Sequence, residues 1–251
     1  MSGHSKWSTI KRKKGAMDAK RGAVFTKVAK EIALAAREGG GDPYTNFKLR
    51  LAIDKAKTVN MPKDNIERAI KRGTGESKDG HTLEEVFYEG YASHGVALMI
   101  ECVTDNRNRA VADIRHVLNR FGGSLGEGGS VAWQFTRSSY FAFEMEDLDE
   151  DEVFELAIEG GADDIVFEGN MVEIIGPVES YKKISDQLRL ANINTDEAGL
   201  RMMPNQELEL SISDTLQVMK VIDALEELDD VQNIYSNLSI SDEVLAKLEV
   251  A

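Results

Sequence analysis

Gly122-Gly123-Ser124-Leu125-Gly126 has the G-x-S-x-G spacing of a hydrolase nucleophile elbow. That elbow sits on a strand-to-helix turn, with its acid and histidine later in the chain. Here the serine follows a helical pattern and precedes a strand pattern, and no histidine follows His116. The run therefore predicts a glycine loop whose backbone can approach a partner closely, not a nucleophile. Gly126 and Gly128 fit the start of a dinucleotide fingerprint, but Val131 stands at its third glycine. No lysine follows a glycine in a phosphate-loop arrangement. The histidines His4, His81, His94 and His116 and the single cysteine, Cys102, share no zinc-ligand spacing. Acids such as Asp147 and Asp149 to Glu152 form a solvated run from which no catalytic pair can be chosen. The expectation is a protein that is not an enzyme and has no metal or cofactor.

The chemistry that does stand out is phosphate binding. Lys6, Trp7, Lys11, Arg12, Lys13 and Lys14 lie close together, and residues 1–30 hold nine bases and one acid, Asp18. Lysine and arginine neutralise phosphates and release counterions, which gives affinity without sequence reading. Trp7 can stack on an unpaired base or pack against helices. Residues 1–72 carry 18 Lys and Arg against 7 Asp and Glu, net +11. Residues 73–251 carry 12 against 37, net -25. A division of this size points to a polyanion partner for the basic part. The acidic remainder repels phosphate, so it restricts contact to the basic part or presents a face to a basic protein.

These side chains need elements to position them. Phe25, Val28, Ala29, Ile32 and Ala36 make one apolar stripe over residues 16–37, with Lys20, Lys27, Lys30 and Arg37 on the opposite face. Gly39 to Gly41 end that helix. Asp42-Pro43 predicts the cap and first residue of a second helix, reaching Thr58, and Pro62 opens a third, stopped by Gly73. A polar linker follows. Beyond it come strand 96–103, helix 106–121, the glycine loop and a strand at Val131 to Phe135. A strand through Phe141, Phe143 and Met145 follows, then helix 149–160 and a hairpin of Ile165–Glu168 and Met171–Ile175 about Gly169-Asn170. Helix 178–191, strand 200–203, strand 207–212, helix 214–228 and strand 231–240 complete the pattern. The predicted class is α+β with three domains. These are a basic helical domain 1–78, a discontinuous α/β domain 79–137 plus 206–251, and an acidic α/β domain 138–205 inserted into it. Both α/β domains are of the split β-α-β, ferredoxin-like type. With 42 % hydrophobic residues a sizeable core is expected. The apolar run Val96–Ile100 is far short of the roughly 20 residues that span a bilayer. One cysteine and no leader pattern fit a cytoplasmic protein with no membrane partner.

Several separated segments resemble the YebC/PmpR family, whose mitochondrial relative is the translational activator of cytochrome c oxidase. They are Gly3 to Trp7, Asp18 to Gly22, Gly39 to Pro43, Tyr88 to Tyr91, Asp105 to Arg109 and Gly126 to Val131. The resemblance covers essentially the whole chain. It implies three domains and a cytoplasmic, non-enzymatic protein of the kind described as a DNA-binding transcriptional regulator. The mitochondrial branch implies action on translation. Carried over by position, the basic set matches at Lys6, Trp7, Lys20, Arg21 and Lys27. Ala23 stands where many relatives have lysine, and Ala92-Ser93-His94 replaces a glycine-proline-glycine turn. Arg107 and Arg109, at the start of helix 106–121, are a candidate second anion site or else partners of nearby acids. The candidate nucleic-acid-binding set is thus Lys6, Trp7, Lys11, Arg12, Lys13, Lys14, Lys20, Arg21, Lys27 and Lys30. The expected function is a nucleic-acid-binding regulator of gene expression acting on DNA. The alternatives are a ribosome-associated translation factor on ribosomal RNA, with protein contacts through the acidic lobes, and a non-catalytic adaptor.

Overall fold

The computed structural model describes residues 17–76, 83–145, 148–241 and 243–244, with side chains in the first helix from Gly22 onward. The helical domain comprises α1 (Met17–Gly39), α2 (Phe47–Thr58) and α3 (Lys63–Gly73). Its core is the stripe expected from the spacing: Val28, Ile32 and Ala36 of α1 against Leu49, Ala52 and Ala56 of α2 and Ile66 and Ala69 of α3. The start of α2 differs from expectation. Asn46 is the cap, not Asp42. Its side chain accepts from Leu49 N and donates to Ala35 O and Gly40 O at 2.7 and 2.8 Å. An amide cap can donate as well as accept, so this one buried residue closes the end of α1 and opens α2. At Gly73 a Cβ would lie 2.2 Å from Ala33 O, so only glycine lets α3 end against the α1 backbone.

The second unit is a four-stranded antiparallel sheet in the order β3-β1-β2-β8, built from β1 (Glu84–Tyr91), β2 (Ala97–Thr104), β3 (Ser124–Leu125) and β8 (Val231–Ser236). Helices α4 (Arg107–Arg120) and α7 (Ile212–Glu226) cover one face. Strand β1 was not legible, because Glu84, Glu85 and Glu89 break its apolar pattern. It occupies the place expected for residues 207–212, which make only a bridge, Leu208 to Leu238. The predicted strand at Val131 to Phe135 is also corrected. Ala132–Gln134 form a 3-10 turn, and the next strand starts at Phe135.

The third unit is inserted between β3 and α7. It runs β4 (Phe135–Glu144), α5 (Glu150–Gly160), β5 (Asp164–Glu168), β6 (Met171–Pro177), α6 (Tyr181–Leu190) and β7 (Glu197–Pro204). Its sheet order is β5-β6-β4-β7, all antiparallel, which is the split β-α-β arrangement. Phe141, Phe143, Val172 and Ile174 face Val153, Ala157, Ile184 and Leu188 of the two helices.

Strand β2 holds the three units together. Leu98, Ile100 and Cys102 point into the core under α4 and α7. Ala97 and Met99 point the other way, onto Val131, Phe135 and Met202. Val103 meets Leu83 and, on α1, Ala33 and Leu34. On the same side Phe47 of α2 contacts the Tyr181 ring of α6 edge-on, with centroids 5.1 Å apart. Each fully buried Leu or Ile contributes about 2 kcal/mol, so these apolar contacts are a large part of what holds the joints.

Cys102 lies at the centre of this arrangement. Burial, reinforced by the nearby charges of Asp230 and Glu101, pushes its thiol up to about 12. Labelling with a disulfide reagent near pH 8 is expected to be slower than for a free thiol by on the order of a thousandfold. It should track denaturant unfolding of the second unit. Rapid labelling of the native protein would contradict this packing.

Candidate nucleic-acid interface

The structure divides the basic residues into two groups. Lys6, Trp7, Lys11, Arg12, Lys13 and Lys14 lie outside the described residues, and of Lys20 and Arg21 only the helical backbone is described. The others on α1 face the second unit. Lys27 Nζ donates to Glu226 O at 2.5 Å. Lys30 Nζ donates to Asp229 O at 2.9 Å and to Asp230 Oδ1 at 2.6 Å. Arg37 donates to Leu83 O. The face of α1 opposite its core stripe is therefore a domain joint from Lys27 onward. Periodicity found the basic face; it carried no information on what that face meets.

Asp230 is the centre of that joint. Its side chain is 6 % exposed and lies between Lys30 and Arg109, whose Nη2 is 2.8 Å from Oδ2. Burial works against the charged carboxylate, but the hydrogen bonds and charges of Lys30 and Arg109 outweigh it and hold Asp230 below the ordinary carboxylate range. Arg109 also reaches Asp105 at 2.9 Å. Arg107 forms two parallel bonds with Glu84, at 2.6 and 2.7 Å. Asn106 caps α4, accepting from Arg109 N at 3.1 Å. Arg107 is thus engaged by Glu84, and Arg109 by Asp105 and Asp230.

The exposed cations of the helical domain lie elsewhere. Lys48, Lys55 and Lys57 pair with Glu38, Glu31 and Asp54. Arg68, Lys71 and Arg72 on α3 are exposed and make no side-chain hydrogen bond or ion pair with another described residue. The preceding loop reaches the same end of α3, because a Cβ on Gly41 would press on Thr74 and Ile70. In that loop Tyr44 is 89 % exposed, and Arg50 pins the loop by donating to Pro43 O and Tyr44 O. Three cations and an aromatic ring on a fixed loop can hold phosphates and a base. The sequence carried a signal for this site, four bases within the α3 pattern, but the denser run before α1 drew the assignment.

The glycine loop has a different construction. The Glu89 carboxylate accepts from Gly129 N, Val131 N and Ala132 N at 2.7, 2.6 and 2.8 Å. Burial opposes its charge, yet the three amide donors hold its carboxyl below the usual range. A Cβ at Gly123 would stand 2.5 Å from Tyr91 O. The loop is packed against β1, and its amides already hold an internal anion. Ser124 sits on β3 opposite Tyr91, while His94 lies within the β1–β2 turn, 3.1 Å from Gln217 Oε1. Among the described residues no group of three His, Cys, Asp or Glu is placed to hold a metal, and no helix is long and apolar enough to cross a membrane.

Replacing Asp230 by Asn leaves Lys30 without its counter-charge and Arg109 with Asp105 alone. Removing one partner of a buried pair costs about 3–5 kcal/mol; with Arg109 half exposed we expect about 2 kcal/mol. Limited proteolysis should then cut between the helical domain and β1 faster than in the parent. Because the carboxyl is depressed in the folded state, its stabilisation is complete above the unfolded value. It is lost only as pH falls through the still lower folded value. Proteolysis of the parent at falling pH should accelerate only below the ordinary carboxylate range. Unchanged cutting of Asp230→Asn would remove this residue from the joint.

Comparison with known proteins accords with this architecture. Residues 5–76 match the family model described as the TACO1/YebC protein N-terminal domain, and residues 83–238 match the TACO1/YebC second and third domain. A protein of Syntrophus aciditrophicus named "Probable transcriptional regulatory protein" is 50 % identical over 248 residues, covering 99 % of both chains. One of the same name from Rubrobacter xylanophilus is 49 % identical, again over 99 % of both. The crystal structure of the conserved hypothetical protein Aq1575 from Aquifex aeolicus superposes with a TM-score of 0.83 at 40 % identity, covering 91 % of this chain and 94 % of that one. With both models spanning the helical domain and the two α/β units, the chain belongs to the TACO1/YebC family.

Proposed function

We propose that this chain is a non-catalytic, cytoplasmic regulator of gene expression that binds nucleic acid through its helical domain, acting on DNA as a transcriptional regulator. The observation that carries the reading is the division of charge: net +11 over residues 1–72 and net -25 over the remainder. Nucleic acid is attracted to one end of the molecule and repelled by the rest. The segment with Lys6 and Lys11 to Lys14, together with Arg68, Lys71 and Arg72, supplies the phosphate contacts. The acidic units restrict the approach and offer surfaces to basic proteins. The name carried by the relatives, a transcriptional regulatory protein, supports the role.

A second reading, a translation factor on ribosomal RNA, is favoured by one observation. Tyr44 and Trp133 are 89 % and 72 % exposed, and exposed rings suit unpaired bases better than a closed duplex.

Cross-linking in the native cell, with sequencing of both the DNA and the RNA recovered, tests the two. Discrete promoters support the first reading, a few ribosomal RNA positions the second, and neither signal overturns both. In vitro, Arg68, Lys71 and Arg72 replaced together by Glu should weaken binding at least about tenfold. The dependence of log K on log salt should become shallower by about 2–3, at about 0.9 per lost duplex phosphate contact. Replacing Lys11, Arg12, Lys13 and Lys14 by Glu should abolish binding with the fold intact. Unchanged affinity at low salt in both variants would exclude the helical domain as the binding surface.

A further inference from the structure

Trp133 is a large side chain that the fold does not bury. It is 72 % exposed, yet the residues around it are firmly held. Val131 and Phe135 are buried in the joint between the two sheets, 0 % and 6 % exposed. Glu89 fixes the amides of Val131 and Ala132. Asn205 Nδ2 donates to Trp133 O at 3.0 Å, and Asn205 N donates to Gln134 O at 2.8 Å. The indole Nε1–H donates to Ser130 O at 3.1 Å, and Tyr91 Oη donates to the same carbonyl at 3.1 Å. The only polar atom of the ring is thus engaged within its own turn. What remains for a partner is a flat apolar face on a base that does not have to be ordered on binding.

The charge of the chain segment that leads to it narrows the partner. Residues 73–251 are strongly acidic, but the stretch 105–137, which leads through α4 and the glycine loop to this ring, carries five Arg against three acids. Arg107 and Arg109 are paired, whereas Arg115 and Arg120 on α4 are exposed to solvent. A rigid aromatic face at the end of a stretch with an excess of arginine suits an aromatic ligand that carries phosphate.

We propose that Trp133 is a stacking platform for an unpaired base of a nucleic acid whose backbone is held by the helical domain. This rests on the nucleic-acid-binding reading and adds a second contact point, on the other side of the α1 joint, that is selective for single strands. Stacking needs only a π-face, so the contact tolerates any base.

Binding is measured on the full parent chain, and emission on the full chain with Trp7→Phe, in which Trp133 is the sole tryptophan. Binding of a fluorescein-labelled oligoadenylate and of a blunt duplex of equal length is followed by anisotropy. Indole emission is followed separately with the unlabelled strands. The single strand is expected to quench Trp133 at saturation, and the duplex to bind without quenching. A Trp133→Ala change should weaken the single strand about tenfold and leave the duplex unchanged, while Trp133→Phe restores most of the affinity. Single-strand binding with unaltered emission and no loss in Trp133→Ala overturns the platform and leaves the helical-domain reading standing. Equal quenching by duplex, or quenching only by an added protein, also overturns it. Failure of both strands to bind at low salt overturns that reading and the platform together.

Discussion

Strand β2 is buried on both faces, and the rest of the molecule follows from that constraint. An antiparallel sheet ordinarily shows one face to solvent. Here alternate residues serve different neighbours: Leu98, Ile100 and Cys102 the helices of their own unit, Ala97 and Met99 the inserted unit, and Val103 the helical domain. Glu101 is the exception, half-buried, and it accepts from Tyr235 Oη at 2.8 Å and from Asn233 Nδ2 at 3.0 Å. Its neighbour Glu85 is pushed up by burial and by the Glu101 charge, with a hydrogen bond between the two. The carboxylate on the strand is therefore hydrogen-bonded, as a half-buried carboxylate must be.

The same economy governs charge. Most cations of α1 beyond Gly22 hold the helical domain against the second unit, so net charge and available charge are different quantities. Lys27 and Lys30 count toward +11 but meet Glu226 O and Asp230. Arg68, Lys71 and Arg72 count equally and face solvent. Arg107 and Arg109 likewise tie elements of the second unit together. Basic residues in this protein thus do two jobs, cohesion at the joints and exposure along α3.

What the sequence disclosed depended on whether the decisive partner was local. The α1–α3 core was legible because the 3.6-residue period reports one face of one helix. The inserted unit was legible from the Gly169-Asn170 turn and the alternation of Phe141 and Phe143. Strand β1 was not, because its glutamates bond to groups distant in sequence: Glu89 to the glycine loop and Glu84 to Arg107. The cap of α2 was missed because Asn46 acts through Ala35, eleven residues away. For the candidate site, the basic end was plain from composition. Which cations are available was not, since that depends on the acids the fold brings to Lys27, Lys30 and Arg109. Trp133 was passed over because exposure of a large ring leaves no trace in periodicity.

The second unit is interrupted, and this sets an order of assembly during synthesis. α1 to α3 form a closed core from local segments and leave the ribosome first. β1 and β2 follow, but α7, β8 and Asp230 come only after the whole inserted unit has been made. Until then the apolar face of β2 lacks half its cover, and Lys27 and Lys30 lack the groups that hold them in the finished protein. The nascent helical domain therefore displays two more cations than the mature one. Docking of α1 onto Asp230 therefore has to wait for the inserted unit to be made.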